Sequence, residues 1–163
     1  MNKIIKIDRV LKICKELKSK GKSIVLVGGC FDILHLGHIN FLENSKNLGD
    51  ILFVLLESDE AVGKLKGKDR PINNQRQRAQ VLAALRAVDY VILLPIMKTD
   101  KDYDKLITQI KPAFIAATEN DPNISHKIRQ AGMIDAKVKI VTKRVDNKST
   151  TKLARLISRE NIL

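Results

Sequence analysis

Apolar residues recur along this chain in two rhythms that alternate from one end to the other. Residues 9–20 carry Val10, Ile13, Cys14 and Leu17 at helical spacing, with Asp8 placed to cap the start and Gly21 to stop it. A short β-rich run over 23–27 comes next, then a second helical pattern from near Gly37 to Gly49 with Ile39, Phe41, Leu42 and Leu48 as its apolar positions. Residues 51–56 are apolar without a break, the mark of a strand covered on both faces. The stretch 57–72 is polar, lysine-rich and glycine-containing, and reads as a loop. Beyond it the pattern predicts a helix over 74–87, a strand over 90–94 closed by Pro95, and a helix over 102–110. A strand over 114–117, a helix over 124–131, a strand over 138–141 and a closing helix over 150–159 complete the series.

Strands alternating with helices imply an α/β fold: one doubly wound, Rossmann-like domain spanning 1–163, with a five-stranded parallel sheet and helices on both faces. In such a fold, ligands bind in the crevice at the carboxyl ends of the strands. The turn after the first strand is therefore the first place to look for a site.

Composition narrows the partners. With 44% hydrophobic and 29% charged residues the chain is globular, and 30 Lys+Arg against 18 Asp+Glu give a net charge of +12. A balance this basic favours anionic partners such as phosphorylated metabolites, nucleotides or nucleic acid. Aromatics are only 4% of the residues, which leaves few rings for base stacking, so a nucleic-acid-binding module has charge alone in its favour. Cys14 and Cys30 lack metal-site spacing and read as reduced thiols, and no run is long enough for a signal peptide or a membrane span. A cytoplasmic protein without a zinc site is expected.

The chemistry concentrates in Gly28-Gly29-Cys30-Phe31-Asp32-Ile33-Leu34-His35-Leu36-Gly37-His38, where the first strand hands over to a helix. Gly28 and Gly29 let backbone N–H groups approach a ligand without Cβ obstruction. The helix start offers partial positive charge to a phosphate. Two of the chain's three histidines, His35 and His38, stand at i and i+3, on one face, with Gly37 leaving room for a nucleotide between them. Asp32 could orient backbone or a histidine, or cap the turn. Near the other end, Ser149, Thr150, Thr151 and Lys152 form a second anion-binding helix start, although alone such a motif is usually an ordinary cap. Lys64 and Lys66 lie where a loop could close over a triphosphate or simply face solvent, and Arg86 with Asp89 could serve a ligand or a helix end.

The run from Gly29 to His38 resembles the signature of the cytidylyltransferase-like nucleotidyltransferases, which join a nucleoside monophosphate to a phosphorylated alcohol or sugar and release pyrophosphate. Ser58-Asp59-Glu60, Lys64-Leu65-Lys66-Gly67, Arg70-Pro71-Ile72 with Arg78, Leu85 to Asp89, and Ser149 to Lys152 match the family's order. The leading helix with Gly21-Lys22 is similar to the heptose 1-phosphate adenylyltransferase branch, and glycerol-3-phosphate cytidylyltransferase is a near second.

The resemblance implies catalytic roles for His35, His38 and Lys66. It implies nucleotide or phosphate contacts at Gly28, Gly29, Cys30, Phe31, Asp32, Gly37, Lys64, Arg86, Ser149, Thr150 and Thr151, and acceptor contacts at Asp59 and Arg144. It further implies ATP or CTP and a phosphorylated small molecule as substrates, Mg2+ bound mainly through the nucleotide, no protein-ligated metal, no nucleic-acid or membrane partner, and a homodimer. A nucleotide-binding regulator without turnover is the non-enzymatic alternative. The resemblance breaks at Ala116 to Asp121, where related enzymes carry a glycine-rich stretch with an aspartate near the nucleotide.

Overall fold

In the computed structural model, which describes residues 3–143, six strands form one parallel sheet in the order β1-β4-β3-β2-β5-β6. The strands are β1 (Ile4–Lys6), β2 (Ile24–Gly29), β3 (Ile51–Leu56), β4 (Tyr90–Leu93), β5 (Phe114–Thr118) and β6 (Lys137–Thr142). The helices are α1 (Ile7–Ser19), α2 (Leu36–Lys46), α3 (Asp59–Lys66), α4 (Gln75–Ala84), α5 (Asp100–Ile110) and α6 (Ile124–Gly132). Among these, no helix is long and apolar enough to cross a membrane.

Strand periodicity divides the core in two. In β2, Ile24 and Leu26 face one way and Val25 and Val27 the other; in β3, Phe53 and Leu55 oppose Leu52, Val54 and Leu56. The first set packs beneath α1, α5 and α6 through Val10, Cys14, Leu106, Ile107, Ile110 and Ala131. The second packs beneath α2 and α4 through Phe41, Leu42, Ala79 and Leu82. The unbroken hydrophobicity of 51–56 therefore records a strand sandwiched at the middle of the sheet. Order runs from β2 through β3 on one side and through β5 on the other, so the switch point opens beside the carboxyl end of β2.

Several expectations need correction. The sheet has six strands rather than five, because Ile4 to Lys6 add an edge strand that pairs in register with Val91 to Leu93. Three residues running directly into a helix are too few for period-2 alternation to register. With that strand in place, α1 begins at Ile7, Lys6 is its N-cap, and Asp8 lies inside the first turn rather than capping it. The polar stretch 57–72 is not all loop: Ser58 caps α3 by accepting from the Ala61 N–H at 3.2 Å, and Val62 is buried beneath it. Its charged faces hid the single apolar anchor. The helix expected over 150–159 lies outside the described residues.

Truncating Phe53, which is fully buried on the central strand with its ring 5.2 Å from that of Tyr90, tests this core. Phe53→Ala is expected to lower stability by about 3–5 kcal/mol in urea unfolding.

Candidate active site

The turn after β2 is folded back on itself. Phe31 has a positive φ of 44° and a buried ring. A Cβ on Gly29 would stand 3.0 Å from that ring, a tight approach that the ring would have to shift to relieve. A Cβ on Gly28 would meet only ordinary van der Waals contacts with Leu55. The Phe31 ring in turn lies under His38, 5.4 Å between centroids.

The histidine spacing has a structural cause. His35 is the N-cap of α2, and its Nδ1 accepts the Gly37 N–H at 3.1 Å. His38 sits at the third helical position, and its Nδ1 accepts the His35 N–H at 3.4 Å. This is a capping box built from two imidazoles. Because each Nδ1 accepts from backbone, the proton of each neutral ring belongs on Nε2. The rings lie 3.9 Å apart, 31° from parallel. Burial pulls the His38 pKa down to about 4, with the charges of His35 and Lys66 adding to the effect. His38 is therefore a neutral donor at physiological pH.

Two arginines hold this turn against the rest of the crevice. Asp32 is buried; its carboxylate accepts from Arg70 Nε at 2.6 Å and from the Ile72 and Asn73 N–H groups at 3.0 Å each. Burial alone would raise its pKa, but the two backbone N–H bonds and the Arg70 guanidinium outweigh that and hold it below the ordinary range. Of the roles left open for Asp32, the structure displays a backbone-orienting one, directed at residues 70–73. Arg78 is 1% exposed. Its Nη1 donates to the Cys30 carbonyl, its Nη2 to the Glu57 carbonyl and Asp59 Oδ1 at 2.8 Å each, and its Nε to the Asn73 carbonyl at 3.0 Å.

The remaining predicted residues divide by position. Lys66 is exposed at the end of α3, and its charge acts on both His38 and Cys30, so it borders the crevice. Burial pushes the Cys30 thiol upward, which keeps it protonated. Lys64 pairs with Glu60 at 2.6 Å on its own helix, and Asp59 pairs with Arg78. Arg86 is not brought to the crevice: it precedes β4, at the amino ends of the strands. There its neighbour Asp89 accepts from the Leu52 N–H at 2.7 Å and Lys46 Nζ at 2.6 Å, an intramolecular ion pair with a tie to the β3 backbone. Arg144, Ser149, Thr150, Thr151 and Lys152 lie outside the described residues. His126 pairs with Asp100 on the surface at 3.2 Å. Among the described residues no group of three His, Cys, Asp or Glu is placed to hold a metal ion.

The family model for cytidylyltransferase-like proteins matches residues 26–157, a span that holds the histidine cap and both arginine ties. The chain belongs to the cytidylyltransferase-like family of nucleotidyltransferases. It is 53% identical over 105 residues to the bifunctional protein HldE of a Nitratiruptor species, a match covering 64% of this chain and 22% of that protein. To the bifunctional protein HldE of Campylobacter fetus it is 39% identical over 156 residues, covering 93% of this chain and 30% of the relative. The chain thus spans between a fifth and a third of these relatives' length. Among solved structures, a lipopolysaccharide core biosynthesis protein from Thermoplasma volcanium matches with TM-score 0.58 and 32% identity, over 78% of this chain and 100% of that one. Pantoate-beta-alanine ligase from Francisella tularensis shares the fold alone, with TM-score 0.66 at 18% identity over 98% of this chain and 78% of that one.

Within this cytidylyltransferase-like frame, the sequence pattern gives Arg78 only a position in the family's motif order, without a site role, and does not single out Glu57 or Tyr103. The available signal for Arg78 is its phase: it shares the buried face of α4 with Ala79 and Leu82, an unusual place for a cation. Glu57 is likewise a carboxylate placed directly after six apolar strand residues.

Two measurements test this architecture. Arg78→Met keeps bulk but strands the carbonyls of Cys30, Glu57 and Asn73. It is expected to cost about 3 kcal/mol or more in urea unfolding, with Arg78→Lys recovering only part. His38 has a folded-state pKa below its unfolded value of 6.5, so the unfolded chain binds the extra proton first. Its stabilising contribution is complete above pH 6.5 and is lost as pH falls towards 4. His38→Asn is expected to flatten that part of the melting-temperature profile.

Proposed function

We propose that this chain transfers a nucleoside monophosphate from a nucleoside triphosphate to a phosphorylated sugar and releases pyrophosphate, with ATP as donor and a heptose 1-phosphate-like acceptor. The observation that carries the proposal is the reciprocal imidazole cap. It fixes two histidines on Nδ1 and directs their acid protons to Nε2, at the carboxyl end of β2 beside the switch point. The similarity to bifunctional HldE proteins and to a lipopolysaccharide core biosynthesis protein supports a sugar phosphate over glycerol 3-phosphate as acceptor.

The chemistry requires little more than position and charge. An acceptor phosphate oxygen attacks the α-phosphorus in line, a new P–O bond forms, and the bond to the β-phosphate oxygen breaks with pyrophosphate as leaving group. The attacking oxygen is already ionised, so no base is needed. His35 and His38 donate from Nε2 to the α-phosphate oxygens as their charge rises. Lys66 adds positive charge from the crevice edge, where it already acts on His38. Lys64, Arg144 and the hydroxyls of Ser149, Thr150 and Thr151 are proposed for the triphosphate and the acceptor phosphate, Arg144 and Asp59 on the acceptor side. Magnesium is proposed to enter with the triphosphate, whose oxygens would hold it and whose charge it would offset. A homodimer and a cytoplasmic location belong to the same reading by family resemblance.

A pyrophosphate-release screen crossing ATP and CTP with heptose 1-phosphate, glycerol 3-phosphate and other phosphorylated acceptors tests the proposal. ATP with the sugar phosphate is expected to give the highest kcat/KM; CTP with glycerol 3-phosphate as the best pair would reassign the substrates. His35→Ala and His38→Ala are each expected to lower kcat by about 100-fold or more. Near-wild-type turnover in both, with unchanged circular dichroism, would refute the mechanism.

A further inference from the structure

The transfer chemistry leaves one half-buried pair unused. Glu57 directly follows β3, in the same row as Cys30, since Gly29 and Leu56 are register partners and the Glu57 N–H donates to the Gly29 carbonyl at 3.2 Å. Its side chain emerges on the sheet face covered by α5. There the Tyr103 hydroxyl, in the first turns of α5, lies 3.0 Å from both carboxylate oxygens. The carboxylate also acts electrostatically on Cys30, the same residue on which Lys66 acts. Glu57 and Lys66 therefore both lie within electrostatic reach of Cys30, one with negative and the other with positive charge.

A partly buried carboxylate needs hydrogen-bond donors. A carboxylate has about four acceptor positions, and a tyrosine hydroxyl has one hydrogen. Among the described residues the Tyr103 hydroxyl is the one hydrogen-bond donor to the Glu57 side chain. Arg78 supplies nearby positive charge, yet its donors are directed to carbonyls and to Asp59. Burial accordingly raises the Glu57 pKa above the usual carboxylate range. Glu57 stands at the carboxyl end of β3 in the row of Cys30, where the crevice proposed for the anionic substrates lies.

A carboxylate there repels phosphate, so whatever lies against it must donate. The reaction itself asks nothing of it, because the attacking phosphate oxygen needs no base. A polyhydroxylated phosphate meets both demands: its phosphate end lies towards the imidazoles and Lys66, and its hydroxyls towards Glu57. We infer that Glu57 is a specificity-determining residue, accepting hydrogen bonds from the sugar hydroxyls of the acceptor, with Tyr103 as the positioning residue that orients its carboxylate. This assignment rests on the reading of the crevice as a nucleotidyl-transfer site.

Calorimetric binding of heptose 1-phosphate, inorganic phosphate and ATP to the wild type, Glu57→Gln and Tyr103→Phe, paired with pyrophosphate release, tests it. Glu57→Gln is expected to weaken heptose 1-phosphate binding by tenfold or more and to raise the acceptor KM alike. Its affinity for ATP should stay within twofold, and for inorganic phosphate should be equal or tighter, since a repelling charge has gone. Tyr103→Phe should shift the acceptor KM in the same direction by a smaller factor, with the KM for ATP unmoved. Parallel losses for all three ligands, unchanged heptose 1-phosphate binding in Glu57→Gln, or no heptose 1-phosphate binding by the wild type would each overturn the assignment. Glu57-dependent sugar phosphate binding without pyrophosphate release would uphold Glu57 and refute transfer. Pyrophosphate release with an unaltered acceptor KM in Glu57→Gln would do the reverse.

Discussion

The Arg78 guanidinium is the constraint on which the crevice depends. It reaches from α4 to the carbonyls that end β2 and β3 and to the carbonyl of Asn73, all from a fully buried position. Parallel strands end with carbonyls that have no further ladder partner, and here those ends also border the crevice proposed for the substrates. A planar cation with five donors in fixed directions can bind several of them at once, which an ammonium on a flexible stem cannot. The Asp32–Arg70 tie works in the opposite sense, with a carboxylate from the turn gathering N–H groups of residues 72 and 73. One residue collects acceptors, the other donors, and the two share Asn73.

With the turn held, the histidine geometry is determined. The positive φ of Phe31 places its ring under His38, and that packing both orients and desolvates the imidazole. Each histidine then uses its inner nitrogen on the helix's own orphan N–H groups. His38, which could titrate near neutrality, becomes an uncharged donor. Packing thus determines the protonation state, and the protonation state determines the chemistry.

The alternating strands and helices and the helix start at the HxGH turn were legible because they depend on periodicity and on local spacing. What escaped was set by distance in the chain. The Asp32–Arg70 and Cys30–Arg78 contacts join residues 38 and 48 positions apart, and no local pattern announces such a pairing. The tie between Asp59 and the buried Arg78 joins residues from two different helices, which no local pattern announces either. Arg86 looks like a site residue by motif order, while the topology carries it to the far end of the sheet. The β1 strand escaped for a different reason: its register comes entirely from β4, and three residues are too few to show a rhythm.

The division of charge in this crevice bears on how transfer would be driven. The chain carries a net +12, so cations to attract a triphosphate are plentiful. Cations spread along a triphosphate bind it before and during reaction alike, and such uniform binding lowers KM without raising kcat. Short-range neutral donors behave differently, because a hydrogen bond strengthens as negative charge accumulates on the oxygen it touches. Keeping His38 uncharged removes one more source of ground-state attraction and leaves a donor whose value is greatest at the α-phosphorus. In the proposed transfer, the burial that costs stability in acid is the same burial that would let His38 distinguish transition state from substrate.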